Sequence, residues 1–269
     1  MNPDLKPDFD AGTYWEDRLR SRLDLSGVGY QGLGRSYNGW MYRVRARVFR
    51  RLLAGSGVAV RNAAVADIGC GTGFYVDLWS QAGAARVDGL DITDTAVAAL
   101  SVRRPGGRFV RADIGAELPP DWAGCYDIVS AFDVLFHIVD DERWVRALHN
   151  LAALLKPGGT LFISDNYLRG PAIRERHHVS RRLDDYRTAL AGAGLAVTER
   201  RPMFVIMNQP VDSPPIAVRA VWAVVSRLVW RAEPLGWLVG ASLYPFELAL
   251  TALSIEGPTT EIMTCRKLG

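Results

Sequence analysis

Residues 64–73 read Ala-Val-Ala-Asp-Ile-Gly-Cys-Gly-Thr-Gly: a short apolar run that ends on an acid, then three glycines at alternate positions. The run is long enough for one buried strand, and the glycines stand where a strand should give way to a helix. Gly69, Gly71 and Gly73 lack a Cβ, so the backbone can turn sharply there and a ligand can lie directly against it. Asp67, at the strand end, can accept hydrogen bonds from a cationic or amino group held over the turn.

The spacing separates two kinds of ligand. A dinucleotide fold uses Gly-x-Gly-x-x-Gly, the last glycine admitting close helix packing beside a pyrophosphate. Here the third glycine comes one residue early, and Phe74 stands where that motif places it. Further along, residues 85–90 form a half-apolar second strand closing on Asp91, about twenty residues past the glycines, where an acid can bond two ribose hydroxyls. Residues 108–111 are a third strand, followed by Asp113. Tyr126-Asp-Ile-Val-Ser-Ala-Phe-Asp-Val-Leu-Phe-His-Ile138 is a fourth strand with its loop, and Leu155-Lys-Pro-Gly-Gly-Thr-Leu-Phe-Ile163 passes from helix through turn to a fifth. Each acid alone also reads as a solvated loop carboxylate; together they fall at successive strand ends.

This ordered set, covering residues 63–165, resembles the class I S-adenosylmethionine (SAM) methyltransferases, with Asp-x-Gly-x-Gly-x-Gly as their first motif. The resemblance implies an α/β fold: a Rossmann-like seven-stranded sheet with an N-terminal helical lid. It implies SAM as cofactor, held by Asp67, Gly69, Cys70, Gly71, Gly73, Asp91, Ile92, Asp113, Ile114 and Phe132, with Asp113 on the adenine amino group. From the lid it adds Tyr14, with Tyr42 and Arg43 as candidates for the SAM carboxylate.

At 269 residues the chain suits one α/β domain with additions. Cys70, Cys125 and Cys265 follow neither a disulfide nor a zinc pattern, which favours a reducing compartment. Residues 1–8 show no charged-then-apolar leader pattern, so the expected location is cytoplasmic. The net charge of +3 is modest, and Lys6, Lys156 and Lys267 are the only lysines. A nucleic-acid partner is not expected, because a reader of nucleic acid clusters charge along a docking surface.

The expected organisation is an N-terminal helical lid (1–55), a SAM-binding core (56–205), a helical cap insertion (206–258) and a last core strand (259–269). In the lid, residues 27–34 read as a glycine-rich connector. Asn38 reads as the cap of a second helix with Met41, Val44, Val48 and Leu52 on one stripe. Arg43, Arg47, Arg50 and Arg51 take the other side, either as a solvated face or as an attraction for an anionic substrate or surface. Residues 194–200 and 261–266 read as the last two strands, and the long stretch between them is an insertion with structure of its own.

In that insertion, residues 216–231 read as a helix with Arg219, Arg227 and Arg231 on one side, and residues 235–255 carry only Glu247 as charge. The last run has the length to span a membrane. Spanning would part the last strand from its partner, and Pro245 and Glu247 sit in its middle. A cap over the acceptor site or an interfacial element displaying Trp222, Trp230 and Trp237 remains.

For methyl transfer, His137 is the first candidate base by location and His178 the second; either also reads as structural. Ser-Asp-Asn at 164–166 is similar to the metal pair of catechol O-methyltransferases, with Asp133 near their third ligand, but no metal is assigned. Neither an Asn/Asp-Pro-Pro-aromatic motif nor a Pro-Cys nucleophile follows the fourth strand. The expected acceptor is therefore a small, partly hydrophobic molecule, methylated on oxygen: a specialised metabolite, glycosylated intermediate or lipid-linked compound. The alternatives are a nicotinamide-linked oxidoreductase and a SAM-binding module without transfer activity on a membrane or partner. The oligomeric state is left open.

Overall fold

A computed structural model describes residues 9–116, 118–212 and 215–268. Residues 1–8, expected to lack a leader, and Ser213-Pro214 in the insertion lie outside the described residues. The chain opens with α1 (Ala11–Ser21), α2 (Leu25–Val28) and the long α3 (Gly34–Ser56). It then alternates through β1 (Ala64–Ile68), α4 (Phe74–Gln81), β2 (Arg86–Asp91), α5 (Asp94–Arg103), β3 (Phe109–Arg111), β4 (Tyr126–Phe132), α6 (Asp141–Leu154) and β5 (Leu155–Asp165). A small hairpin, β6 (Ile173–Arg174) and β7 (Val179–Ser180), precedes α7 (Leu183–Gly192) and β8 (Leu195–Pro202). The insertion supplies α8 (Ile216–Val229) and α9 (Glu233–Leu253), and β9 (Glu261–Lys267) returns to the sheet.

The seven-stranded sheet runs β3-β2-β1-β4-β5-β9-β8. β1 to β5 are parallel, and β9 enters antiparallel between β5 and β8. Strand order reverses at β1, which lies between β2 and β4, so a crevice opens at the carboxyl ends of these strands. Side chains alternate across the strands and build two cores. Val65, Ile128 and Phe162 face Phe49 and Trp79 on one side; Ile68, Val129 and Leu161 face Trp144, Leu148 and Tyr186 on the other.

Several local expectations change. The 27–34 connector holds the end of α2 and a short 3-10 turn at Gln31–Leu33. Asn38 lies inside α3 rather than at its cap: its amide donates to Tyr30 O and Gly34 O (2.8 and 2.6 Å) and its Oδ1 accepts from Tyr30 N (3.1 Å). The capping acceptor comes from the insertion, since Glu233 accepts from Arg35 N and Ser36 N, both at 2.7 Å. Pro157-Gly158 does not separate two elements either. α6 passes directly into β5, and the Lys156–Gly159 residues form an irregularity where the β4–β5 register jumps from Tyr126↔Leu155 to Ile128↔Thr160.

The insertion packs against α3 and the segment after β8, and no described residue of 206–258 lines the crevice. The expected roof over an acceptor site is thus absent from the insertion. The reason lies in its inward face. Gly236 sits on Tyr37, and a Cβ at Gly240 would fall 2.4 Å from the Trp40 ring, so these glycines let α9 approach α3 closely. Glu247 is fully buried and accepts from Val205 N and Ile206 N (2.6 and 2.9 Å), fixing α9 to the chain leaving β8.

Candidate active site

The crevice is floored by the glycine loop after β1. Gly69 has φ 68°, and a Cβ there would meet Val134 at 2.4 Å. Its N–H donates to Leu90 O at 2.7 Å, drawing the loop against the end of β2. Gly71 N donates to Asp91 Oδ2 (2.8 Å), while Asp91 Oδ1 accepts from Thr93 N and Thr93 Oγ1 (3.0 and 2.7 Å). Asp91 is therefore locked in place before any ligand arrives, yet a carboxylate has lone pairs to spare for hydroxyl donors. Burial raises its pKa, while the Thr93 and Gly71 hydrogen bonds pull it down.

Cys70, Gly71, Ile92, Asp113, Ile114 and Phe132 join Gly69 and Asp91 in the wall. Asp113 Oδ1 accepts from Gly115 N (2.7 Å), and its Oδ2 pairs with Arg143. Phe132 stacks on Tyr75 with ring centroids 4.0 Å apart. Asp67 and Gly73 are not in the wall. Asp67 lies beneath the loop and accepts from Ser130 Oγ (2.6 Å), which itself accepts from Trp79 Nε1 (2.9 Å). Burial raises the Asp67 pKa to about 7, so this carboxyl ties β1 to β4 rather than facing a ligand. Gly73 is the N-cap of α4 at φ 81°, pressed against Leu100 and Arg103.

The lid is the N-terminal segment. Asp10 caps α1 by accepting from Thr13 N (2.6 Å), and Glu16 anchors it to α5 by accepting from Thr95 Oγ1 (2.7 Å). Phe9, Gly12 and Trp15 face the crevice. Tyr14 does not: its ring stacks on His177. Tyr42 lines the wall against Phe74, whereas Arg43 is exposed and lies over the Trp40 ring. The inward arginine of α3 is Arg45, buried and paired with the wall residue Asp133. Positions two apart on a helix point to nearly opposite sides, which is why Arg43 and Arg45 part company. Arg45 falls on the Met41–Val48 stripe, an arginine among apolar positions, and that was the signal for it.

His137 ends a 3-10 turn at Leu135–His137 and lines the crevice, with Trp15 edge-on at 4.8 Å. Its Nδ1 lies 3.1 Å from His177 O. A carbonyl oxygen only accepts, so Nδ1 carries the hydrogen and Nε2 keeps a lone pair. Burial lowers its pKa to about 3, and the ring is neutral at physiological pH. His178 stands outside the wall, 3.2 Å from Glu175. Of the three residues resembling a catechol-type metal set, only Asp133 reaches the crevice. Asp165 is fully buried and accepts from Tyr186 Oη, and Asn166 is bonded to Ser180 and Thr260. The set does not converge.

Residues 65–159 match the family described as "Methyltransferase domain". Over 115 residues the chain is 39% identical to the ubiquinone biosynthesis O-methyltransferase of Bordetella avium, an alignment covering 42% of this chain and 45% of that protein. The like-named protein of Pseudomonas aeruginosa is 36% identical over 103 residues, 37% of this chain and 43% of that one. The chain thus spans less than half the length of the curated relatives it matches. Among solved structures, magnesium protoporphyrin IX methyltransferase from Synechocystis with bound SAM is similar at TM-score 0.56 and 18% identity, covering 97% of this chain and 99% of that one. A Burkholderia thailandensis 1,6-didemethyltoxoflavin-N1-methyltransferase with S-adenosylhomocysteine gives TM-score 0.52 and 17% identity, covering all of this chain and 98% of that one. The sheet order, the glycine loop and the match over residues 65–159 together give a Rossmann-like fold that carries a methyltransferase domain. The chain resembles the class I SAM-dependent methyltransferases over that domain and in its fold, and SAM is the cofactor that the resemblance implies. Its residues fit that molecule: the loop leaves the bare cradle that a Cβ at Gly69 would fill, and Asp91 and Asp113 offer carboxylate acceptors at adjoining strand ends.

Proposed function

We propose that the protein transfers the methyl group of SAM to a hydroxyl oxygen of a small, partly hydrophobic acceptor in a reducing compartment, the cytoplasm. The observation that carries this reading is His137, a neutral imidazole whose Nε2 is left without a hydrogen bond among the described residues, in a crevice wall that also holds Trp15, Val134 and Ile138 beside the charged Asp133 and Arg143. The O-methyltransferase names of the sequence relatives support oxygen as the acceptor atom.

Bound SAM supplies a methyl group on a sulfonium, already activated for transfer. What remains for the chain is to bind, align and keep out water. Asp91 and Asp113 accept hydrogen bonds from ribose hydroxyls and adenine amine, and the Gly69–Gly71 backbone lies against the nucleoside. Phe9 and Trp15 cover the mouth from α1 and its approach, excluding water. Alignment of this kind contributes about 7–11 kcal/mol. The His137 lone pair accepts a hydrogen bond from the acceptor hydroxyl and orients it. Its low pKa makes it a weak proton acceptor, so it holds the hydroxyl proton in place and takes it only as the oxygen loses basicity on methylation. The Arg45–Asp133 pair stiffens the loop that bears His137, since Asp133 N and Oδ1 are both bonded to Ser164 Oγ at 2.9 Å.

Specialised metabolites, glycosylated intermediates and lipid-linked phenols all meet this description. The test is incubation of the purified protein with methyl-labelled SAM and fractionated small-molecule extracts. Label in an organic-soluble methyl ether supports the reading. Binding of S-adenosylhomocysteine with no labelled product in any fraction supports a SAM-binding module without transfer.

A further inference from the structure

α9 is built inside out. Its inward face carries Gly236, Gly240, Glu247 and Thr251, while Leu235, Leu238, Phe246 and Leu253 recur at helical spacing on its exposed side. Phe246 is 64% and Leu253 83% exposed. Trp230 stands exposed at the α8–α9 turn, Trp237 is half-exposed within α9 with its ring edge-on to Trp40, and Ile255 extends the stripe past the C-terminus of α9. Apolar side chains of this size seldom line a whole exposed helix face in a chain that meets only water. α9 is also long and apolar enough to cross a bilayer by length and composition. It does not cross here: Glu247 is tied to the chain after β8, and β9 follows within the sheet.

The charge around this stripe has one sign. Arg219 and Arg227 are exposed on α8 and Arg231 just past its end, and Arg47, Arg50 and Arg51 border Leu248, Ala249 and Ala252 of α9. Among the described residues, Arg47, Arg219, Arg227 and Arg231 form no ion pair. The acids of the region are turned inward or engaged. Glu233 caps α3, Glu247 is buried, Asp212 accepts from Arg169 N, and Glu256 pairs with Arg169 and Arg200.

We infer that the outer face of α8 and α9 docks on an anionic phospholipid surface. The apolar stripe enters the acyl boundary, the tryptophans sit at headgroup depth, and the arginines meet lipid phosphates. A second copy of the chain fits this face poorly, because a two-fold interface would set the arginine borders of both copies against one another. The inference stands apart from the proposed methyl transfer, since no described residue of the insertion lines the crevice.

Co-sedimentation of the full chain with vesicles tests it, using equimolar phosphatidylcholine and phosphatidylglycerol against phosphatidylcholine alone. The expected result is binding to the anionic vesicles only, weakening with salt. Arg227→Gln and Arg231→Gln should each weaken binding about fivefold, and Leu238→Ser and Phe246→Ser about tenfold or more each. Affinity for S-adenosylhomocysteine should be unchanged in all four, which shows that they fold. Absence of vesicle binding, or binding indifferent to these substitutions, overturns the inference. A concentration-dependent dimer that Leu238→Ser and Phe246→Ser dissolve, with no vesicle binding, assigns the face to a second copy instead.

Discussion

Asp91 holds the site together before it holds a ligand, since one carboxylate clamps the glycine loop and the start of α5. Asp91→Ala removes both the clamp and the proposed ribose acceptor. Affinity for S-adenosylhomocysteine should then fall by about 1.5–3 kcal/mol, read by calorimetry; unchanged affinity would refute the assignment. His137→Ala should lower turnover by about a hundredfold with nucleoside affinity kept. Because burial lowers the His137 pKa to about 3, the pH–rate profile should show no acid limb near the ordinary histidine value of 6.5. A limb there that His137→Gln abolishes would contradict the neutral-lone-pair role. At this scale the sequence was readable where chemistry was tied to spacing. Asp91, Asp113 and His137 could be placed by their distance from strand ends. Tyr14 and Arg43 could not, because each depends on the rotational phase of a helix, and a shift of one or two positions turns a side chain from crevice to solvent.

Elements were legible in proportion to how much of their pattern is local. The first four parallel strands announce themselves as short runs ending at acids or turns and lie within a residue of where those runs predict, whereas β5 already begins at Leu155, where the sequence reads as a helix end and a turn. The insertion was legible as helical but not in its direction of packing. Gly236 and Gly240 read as weak points of a helix; in the fold they are where α9 meets Tyr37 and Trp40. Which face of a helix turns inward is decided by its partner, and the partner lies far away in sequence. Glu247 shows the cost of getting this wrong. Above pH 7, where the carboxylate is ionised and accepts at both oxygens, replacing one oxygen by an amide in Glu247→Gln faces a donor to a donor at Val205 or Ile206. We expect a loss of about 1–3 kcal/mol in denaturant unfolding, with the nucleoside affinity of the folded protein intact. Full stability in that variant would mean that the buried carboxyl does not anchor α9.

Across the whole molecule, three buried carboxyls set a common pH response. Burial raises Asp67 and Glu247 to about 7 and Asp165 to about 8, against ordinary values of 3.8 and 4.5. Each is protonated in the folded chain where the unfolded chain has it ionised, so each contribution is fully present below the unfolded pKa and is lost as pH rises through the folded one. His137 acts oppositely, but its contribution is lost only as pH falls from 6.5 towards 3. Between pH 6.5 and 8 these three carboxyls lose their protons in the fold, and the melting temperature should rise as pH is lowered across that window. A flat or inverted response would mean that these groups are ionised in the fold. The central claim concerns the crevice itself and is tested most directly by the structure of a crystal grown with S-adenosylhomocysteine. The account predicts the ribose on Asp91, the adenine amine at Asp113 and the sulfur directed towards His137. Density elsewhere, or a crevice that takes up NAD and leaves S-adenosylhomocysteine in solution, would contradict it.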